Sequence, residues 1–517
     1  MKRIIIITII SCAAWISKTM AQSADDVILF SRYFSGGTAR SAGMSGAFGA
    51  LGGDMSVISS NPAGLAVYRS SEFTITPAMN FAGTNADIVD HKFNENSARF
   101  MMNNLGYVYT KNLYNEKGLQ SFNFGIAYNR LNDFNSKAYI RRAAATSSML
   151  DEFVYYANGY DKFIPIPMNP NDLNTFYEGL AYDMYAIDID SNGEYFSDYD
   201  DYAPPYGPLY RSMSSRLNVG EYALSLGLNF NHNLYFGATL GIQDVSYRDY
   251  YFHEEKPDFE YMRDFNFSDE YTINGVGLNF KTGVIWRPIQ MLRFGAAVHT
   301  PTHLWLKPYL LTGMGVNWNN TPPTEDGKAP NAYLETESDP SERYRITTPW
   351  RYNLSAAAVL GNRGIVNVDV EVIDYSSSSV MPKSKKENYD SDIIEFYDDI
   401  NNDISSDLKT AVNVKGGGEV RLGPVYLRGG MAFYGNPYNT KAFDDDIKKT
   451  LKNTMSYSAG IGFRNRDFYM DAAYIYMKHP KKITNLYLSY NDDSAWYEQA
   501  TLQTTSSKVV LTFGFRF

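Results

Sequence analysis

The stretch "VVLTFGFRF", Val509 to Phe517, decides how the rest of this sequence reads. In an extended chain Val509, Leu511, Phe513, Phe515 and Phe517 share one face, and Val510, Thr512, Gly514 and Arg516 share the other. One wholly apolar face opposite a small or polar one suits a strand standing between lipid and an enclosed interior. A soluble sandwich could hold one such strand, so recurrence is the test.

The alternation recurs upstream. Tyr222, Leu224, Leu226, Leu228 and Phe230 alternate with Ala223, Ser225, Gly227 and Asn229. After "NHN", Leu234, Phe236, Ala238, Leu240 and Ile242 do the same, which reads as a hairpin. Val276 to Trp286 and Leu292 to Val298 form the next pair. Further pairs are Tyr352 to Leu360 with Ile365 to Tyr375, Val412 to Leu422 with Val425 to Tyr434, and Ser456 to Phe463 with Phe468 to Met477. Glu72 to Phe81, Leu105 to Lys111 and Phe122 to Leu131 are the earlier candidates. With the last strand the count is about fourteen, even as bacterial barrels require.

Loop lengths give an independent check. "NHN", "PIQ", "GNR", "LGP" and "RNR" are tight, whereas 253–269, 311–345, 376–410, 435–453 and 478–507 are long and polar. Short turns on one side and long loops on the other is the arrangement of outer-membrane barrels, with the short turns in the periplasm. The fold expected is therefore an all-β, transmembrane antiparallel β-barrel, and the terminal strand ending at Phe517 is similar to the signal read by the barrel-assembly machinery.

Composition agrees. A 517-residue chain with 44% hydrophobic and 20% charged residues is neither disordered nor a bundle of membrane helices. Beyond the N-terminus no window holds the roughly 18 consecutive apolar residues of a spanning helix. Lys2 and Arg3 followed by Ile4 to Ile10 and a small-residue site at Ala21 read as a signal peptide over 1–21, with the mature chain from Gln22. The rival cut is a lipobox-like "IISC" that would lipidate Cys12. Cys12 is the only cysteine, so the mature chain holds neither a disulfide nor a thiolate metal site. Loss of Lys2, Arg3 and Lys18 takes the formal charge from −10 to −13, which argues against a nucleic-acid partner.

Ahead of the first strand lies "ARSAGMSGAFGALGGDMSVISSNPAGLA", Ala39 to Ala66. Its glycines Gly46, Gly49 and Gly52 recur every third residue, which is not G-x-G-x-x-G, and no GK[ST] follows, so nucleotide binding is not indicated. "GMSGA" misses the nucleophile-elbow pattern at its last position. In "HTPTH", Pro301 between His299 and His303 denies them helical ligand spacing. No metal, haem or other cofactor is expected, and no Ser, His and Asp set stands out as catalytic.

This run, with "GVGLNFKTGVIWRP" and "RFGAAVHTPTHL" in mid-chain, resembles the FadL family of outer-membrane channels for long-chain fatty acids and other hydrophobic compounds. The resemblance implies residues 22–71 as a hatch inside a barrel of 72–517. Asn61, Pro62 and Ala63 form the hatch motif, with Gly49, Gly52 and Gly53 permitting close backbone approach. It also implies capture of a hydrophobic ligand, passive passage past the hatch, and lateral exit at a kink in the third strand, here Asn129, Arg130, Leu131 and Asn132.

Other expectations come from the residues themselves. Lys281, Arg287, Arg293, Asp369 and Glu371 face the lumen; they either pair with each other and the hatch or present a cation to a ligand. The longest connection, 133–218, carries two stretches of helical spacing marked by Met149, Phe153 and Tyr156, then Tyr177 and Leu180. These helices either pack on each other over the barrel or capture a greasy ligand. The expected setting is a monomer in outer-membrane lipid; the alternative function is a surface binding scaffold for secreted proteins.

Overall fold

The computed structural model describes residues 24–517 apart from 35, 89–90, 161–165, 321–331, 340–341, 384–390, 444–447 and 492–493. The expected signal peptide, with Cys12, lies outside the described residues. Fourteen antiparallel strands close a barrel. In chain order they are β1 (Glu72–Ile88), β2 (His91–Asn112), β3 (Leu119–Arg142), β4 (Leu209–Phe230), β5 (Leu234–Glu255) and β6 (Met262–Trp286). Three broken strands follow: β7 (Leu292–His299 and His303–Trp318), β8 (Tyr333–Glu337, Tyr344–Thr347 and Arg351–Leu360) and β9 (Gly364–Asp374 and Ser379–Pro382). The wall ends with β10 (Thr410–Leu422), β11 (Val425–Tyr434), β12 (Thr454–Arg464), β13 (Phe468–Asn491) and β14 (Ser494–Arg516). Each strand pairs with its sequence neighbours, and β14 returns to β1 through Phe515↔Phe73 and Phe513↔Ile75.

Side-chain period places the apolar band outward. Tyr222, Leu224 and Leu226 are 54%, 40% and 46% exposed, whereas the intervening Ala223 and Ser225 are buried inside. The same split holds at the stretch that opened the reading: Leu511 and Phe515 face out, Val510 and Thr512 in. Small inward residues have a specific cause, because the chain before β1 fills the lumen against them. A Cβ on Gly237 would stand 2.1 Å from the Pro62 carbonyl carbon, far inside contact distance.

Several strands outrun their expected ends. Loop 478–507 is mostly the hairpin of β13 and β14, 253–269 narrows to residues 256–261, and the great connection is 143–208 rather than 133–218. The ladders continue past the apolar band, where outward residues turn polar and the alternation that marks a lipid-facing strand disappears.

Inside, α1 (Ala24–Ser31) lies in the long-loop half of the lumen. Val27, Ile28 and Phe30 pack against Leu217, Val245, Ile273 and Tyr344 of the wall, and against Ile400 and Ile404 of α5 (Ser391–Asp407). One-turn α2 (Ala39–Ala42) and two 3-10 turns, Met55–Ser59 and Pro62–Val67, fill the short-turn half. Over the opposite mouth, α3 (Met149–Ala157) and α4 (Glu178–Asp183) share a core with Phe265, Phe267 and Met314 of β6 and β7. The sequence places α3 by its start: Ser148 caps Leu150 N–H while the Asp151 carboxylate accepts from Ser148 N–H.

Candidate functional site

The plug is built by short caps and then bound to the wall. Asp54 accepts from Ser56 N–H at 3.0 Å and from the Thr38 hydroxyl at 2.7 Å. Asn61 caps the next turn: its Oδ1 accepts from Ala63 N–H at 3.2 Å, while its Nδ2 donates to Gly49 O at 2.6 Å and Val284 O of β6 at 3.4 Å. Pro62 at the first helical position pre-sets the turn. Gly52 and Gly53 both hold φ of +66°, and a Cβ on Gly52 would meet the Gly64 backbone at 2.9 Å. Gly49 instead approaches the wall, 2.1 Å from Ser355 Oγ for an added Cβ.

The lumen charges serve this plug. Asp369 accepts from the N–H groups of Phe48 and Gly49, both at 2.9 Å, and Arg293 donates to Leu51 O at 2.6 Å. Lys281 pairs with Glu221, and Glu371 accepts from Arg351 at 3.1 Å and Asn413 at 2.8 Å. Of the expected set, Asp369 and Arg293 thus bind the plug, whereas Lys281 and Glu371 find their partners on the wall, outside the set. Arg287 lies beyond the end of β6, half-buried in the short turn. A chain of ions absent from the sequence expectations adds to this: Arg40 grips Glu419 through two bonds of 3.0 Å. Arg428 then links Glu419 to Asp471, which also accepts from Arg464. His299 Nε2 faces Ser60 O at 2.7 Å.

Higher up, α1 carries a buried carboxyl. Asp26 accepts from the Tyr344 hydroxyl at 3.2 Å. Burial pushes its pKa up to about 8; the Tyr344 bond opposes that shift and neighbouring Asp25 adds to it.

The wall is incomplete beside the plug. The ladder between β2 and β3 stops at Asn104↔Asn129. Beyond it β2 stays paired with β1 and β3 with β4, so residues 91–103 and 130–142 face each other without a ladder. Bulges flank the opening, at Leu131 against β4 and at Asn103 against β1. Side chains span it: Asn135 Nδ2 donates to Ser97 Oγ at 2.8 Å and Arg130 Nε to Met102 O at 3.1 Å, with the Phe93 and Tyr139 rings edge to face at 6.2 Å. Plug backbone closes the inner side. Phe34 N–H donates to Leu131 O at 3.1 Å, Asn132 to Arg32 O at 2.8 Å, and Asn103 to Gly37 O. Asn129 donates to Ser59 Oγ at 3.0 Å. All four residues named from the third-strand motif thus sit at this gap.

Three cavities adjoin one another through shared lining residues. The widest, about 350 Å³, lies under the cap, between Phe134, Met149, Arg211, Met213, His479 and Leu502. A second, about 30 Å³, lies at the gap among Phe34, Asn80, Arg130, Asn132, His479 and Lys508. A third, about 90 Å³, separates plug from wall near Tyr33, Ser59, Asn129 and Lys415. His479 divides the first from the second, with its ring edge-on to Phe34 at 6.1 Å and Phe134 at 5.4 Å. It is aimed there by a bulge at His479–Pro480, where the β13–β14 register shifts; Pro480 within an alternating run was the available sequence signal. Of the expected capture residues, Met149 reaches the 350 Å³ cavity. Phe153 and Leu180 are buried in the cap core, Tyr177 donates to Asp269 at 3.1 Å, and Tyr156 packs on Tyr155.

No family model and no curated protein matches the chain by sequence. Solved structures do match. A Pseudomonas aeruginosa FadL homologue superposes with a TM-score of 0.54 at 12% identity, covering 94% of this chain and 100% of that one. The P. putida toluene transporter TodX does so at 0.52 and 12%, covering 94% and 99%. The likeness is one of fold, and it agrees with the resemblance carried by residues 39–66.

Proposed function

We propose that this FadL-type barrel is a bacterial outer-membrane channel for the passive entry of hydrophobic or amphipathic small molecules, long-chain fatty acids among them. The long-loop end faces outside and the short turns the periplasm. Ligand enters beneath the α3–α4 cap, collects in the 350 Å³ cavity, passes the Phe34–Phe134–His479 seam when the plug shifts, and leaves sideways between β2 and β3. The observation that carries this reading is the interrupted ladder, filled on its inner side by Arg32, Phe34 and Gly37 of the plug. An opening toward lipid suits molecules that partition into a bilayer rather than water, and a channel driven by the ligand gradient needs no bond chemistry.

The plug gives a direct test. Ser45 Oγ and Ser458 Oγ of β12 lie 2.8 Å apart, a suitable pair for a disulfide once both are cysteine. In a host lacking its own fatty-acid channel, the wild type restores uptake of radiolabelled oleate, and oxidised S45C/S458C blocks it until reductant is added. Flat uptake with the wild type refutes transport; undiminished uptake with the plug locked refutes plug movement.

A further inference from the structure

We infer that the outer face of β13, β14, β1 and β2 is a docking groove for a phosphorylated glycolipid of the outer leaflet, with an acyl chain lying against the wall and a phosphate held by Lys478 and Lys481. The inference rests on the reading of the long-loop end as the outer one, and it concerns the lipid around the channel rather than the molecules that pass through it.

A groove of about 430 Å³ runs along the outside of the wall, lined by Phe81, Gly83, Asn96, Ala98, Thr505 and Ser507. The ladder sets Phe81 between Ala98 and Ser507, and Gly83 between Asn96 and Thr505. Gly83, Ala98 and Ser507 offer little side chain, while the rings of Phe81, Phe100 and Tyr474 stand exposed around them. The Tyr474 hydroxyl meets Ser507 Oγ at 2.8 Å, which ties the aromatic rim to the groove. Aromatic side chains on the outer wall of a barrel mark the border between the apolar band and the head groups.

Just above that border the outward residues become cationic and hydrogen-bonding. Lys478 follows Tyr474 and Tyr476 on the same face and lies opposite Thr505 of the groove; Lys481 lies opposite Gln503, which in turn faces Asn85. Both lysines are exposed, and among the described residues neither forms an ion pair, whereas Arg248 of β5 is held by Glu270 at 2.7 Å. Across β1 and β2 the surface continues as a row of asparagines: Asn96 Nδ2 donates to Asn94 Oδ1 at 3.2 Å, and Asn94 Nδ2 to Asn85 Oδ1 at 2.6 Å. The carboxylate that shares their face, Asp87, has Lys92 at 3.9 Å. Lysine stems extend along apolar surface and carry their ammonium groups to the depth of lipid phosphates. Amide side chains supply both donors and acceptors to sugar hydroxyls. On a chain of net charge −10, this juxtaposition selects a lipid that combines an anionic head, hydroxyl groups and an acyl chain.

The test titrates diphosphoryl lipid A into the full-length protein in a non-ionic detergent and counts bound lipid by native mass spectrometry. The wild type binds it, and binds monophosphoryl lipid A less tightly. Replacing both lysines, Lys478→Gln with Lys481→Gln, lowers the affinity for the diphosphoryl form about tenfold or more. Ala98→Leu, which fills the groove and leaves both lysines in place, also weakens binding. Circular dichroism identical to the wild type establishes that each variant is a folded barrel. Wild type that binds no lipid A, or unchanged affinity in either variant, overturns the site. Phosphatidylglycerol that competes as well as lipid A overturns it too, because the groove then answers to charge and chain without the sugar. Oleate uptake by the double lysine variant stays at the wild-type level, so the two readings fail separately: flat wild-type uptake removes transport and leaves lipid A binding standing.

Discussion

Asp26 should make the seating of α1 depend on pH. The helix sits in the lumen with this carboxyl buried against Tyr344, Tyr271 and Tyr247, and with Asp25 beside it. Released into water, the carboxyl would have its ordinary pKa of 3.8; seated, it is raised to about 8. Between those values the seated state binds the extra proton. Seating is therefore strongest below about pH 4, weakens as pH rises toward 8, and stops changing above it, once both states are ionised. The linkage relation gives about 1.4 kcal/mol per pH unit, or about tenfold in the opening equilibrium, and at most about 6 kcal/mol over the whole window. Amide exchange of a peptide covering residues 24–33, corrected for the intrinsic chemical rate, reads this directly. The wild type should lose about 50-fold in protection between pH 6 and pH 8. Asp26→Asn, a neutral side chain of the same shape, should show none of that loss and should protect the helix better at pH 8. If both proteins show the same pH dependence, the latch is not Asp26 and the reasoning fails.

Two further outcomes follow from packing and pairing. Gly237→Val sets side-chain atoms where the Pro62 carbonyl lies; the barrel should still assemble with an unseated plug, measured as raised single-channel conductance in planar bilayers, and unchanged conductance would refute the fit. Asp471→Asn leaves Arg428 and Arg464 with one buried anion fewer and should cost about 3–5 kcal/mol, seen as an earlier urea midpoint for unfolding of the purified protein.

Much of the barrel was legible because lipid imposes a rule on every second residue. Tyr222 to Ile242 and Val509 to Phe517 show it plainly, and the tight turns "NHN" and "RNR" fix the pairing. The rule stops where lipid stops, which is why the upper parts of β3, β4, β13 and β14 read as loops: there the ladder is held by backbone bonds that any polar side chain accompanies. The Asn61–Pro62–Ala63 turn was legible too, since its cap is local. The partners of Lys281, Asp369 and Arg40 were not, because Glu221, the Phe48 and Gly49 amides, and Glu419 come from distant strands or from the plug.

By itself, then, the sequence determined the barrel, its approximate strand number and the turn parity, all of which rest on periodicity or on neighbours within a few residues, while the glycine-rich plug was read from the family resemblance. Only the tertiary structure decided that the β2–β3 ladder stops at Asn104 and Asn129, that Arg32, Phe34 and Gly37 close the opening, that His479 stands between two cavities, and that Arg130 keeps a buried donor. Each of these depends on which groups, hundreds of residues apart, are left facing one another once the barrel has closed, and no local pattern encodes that.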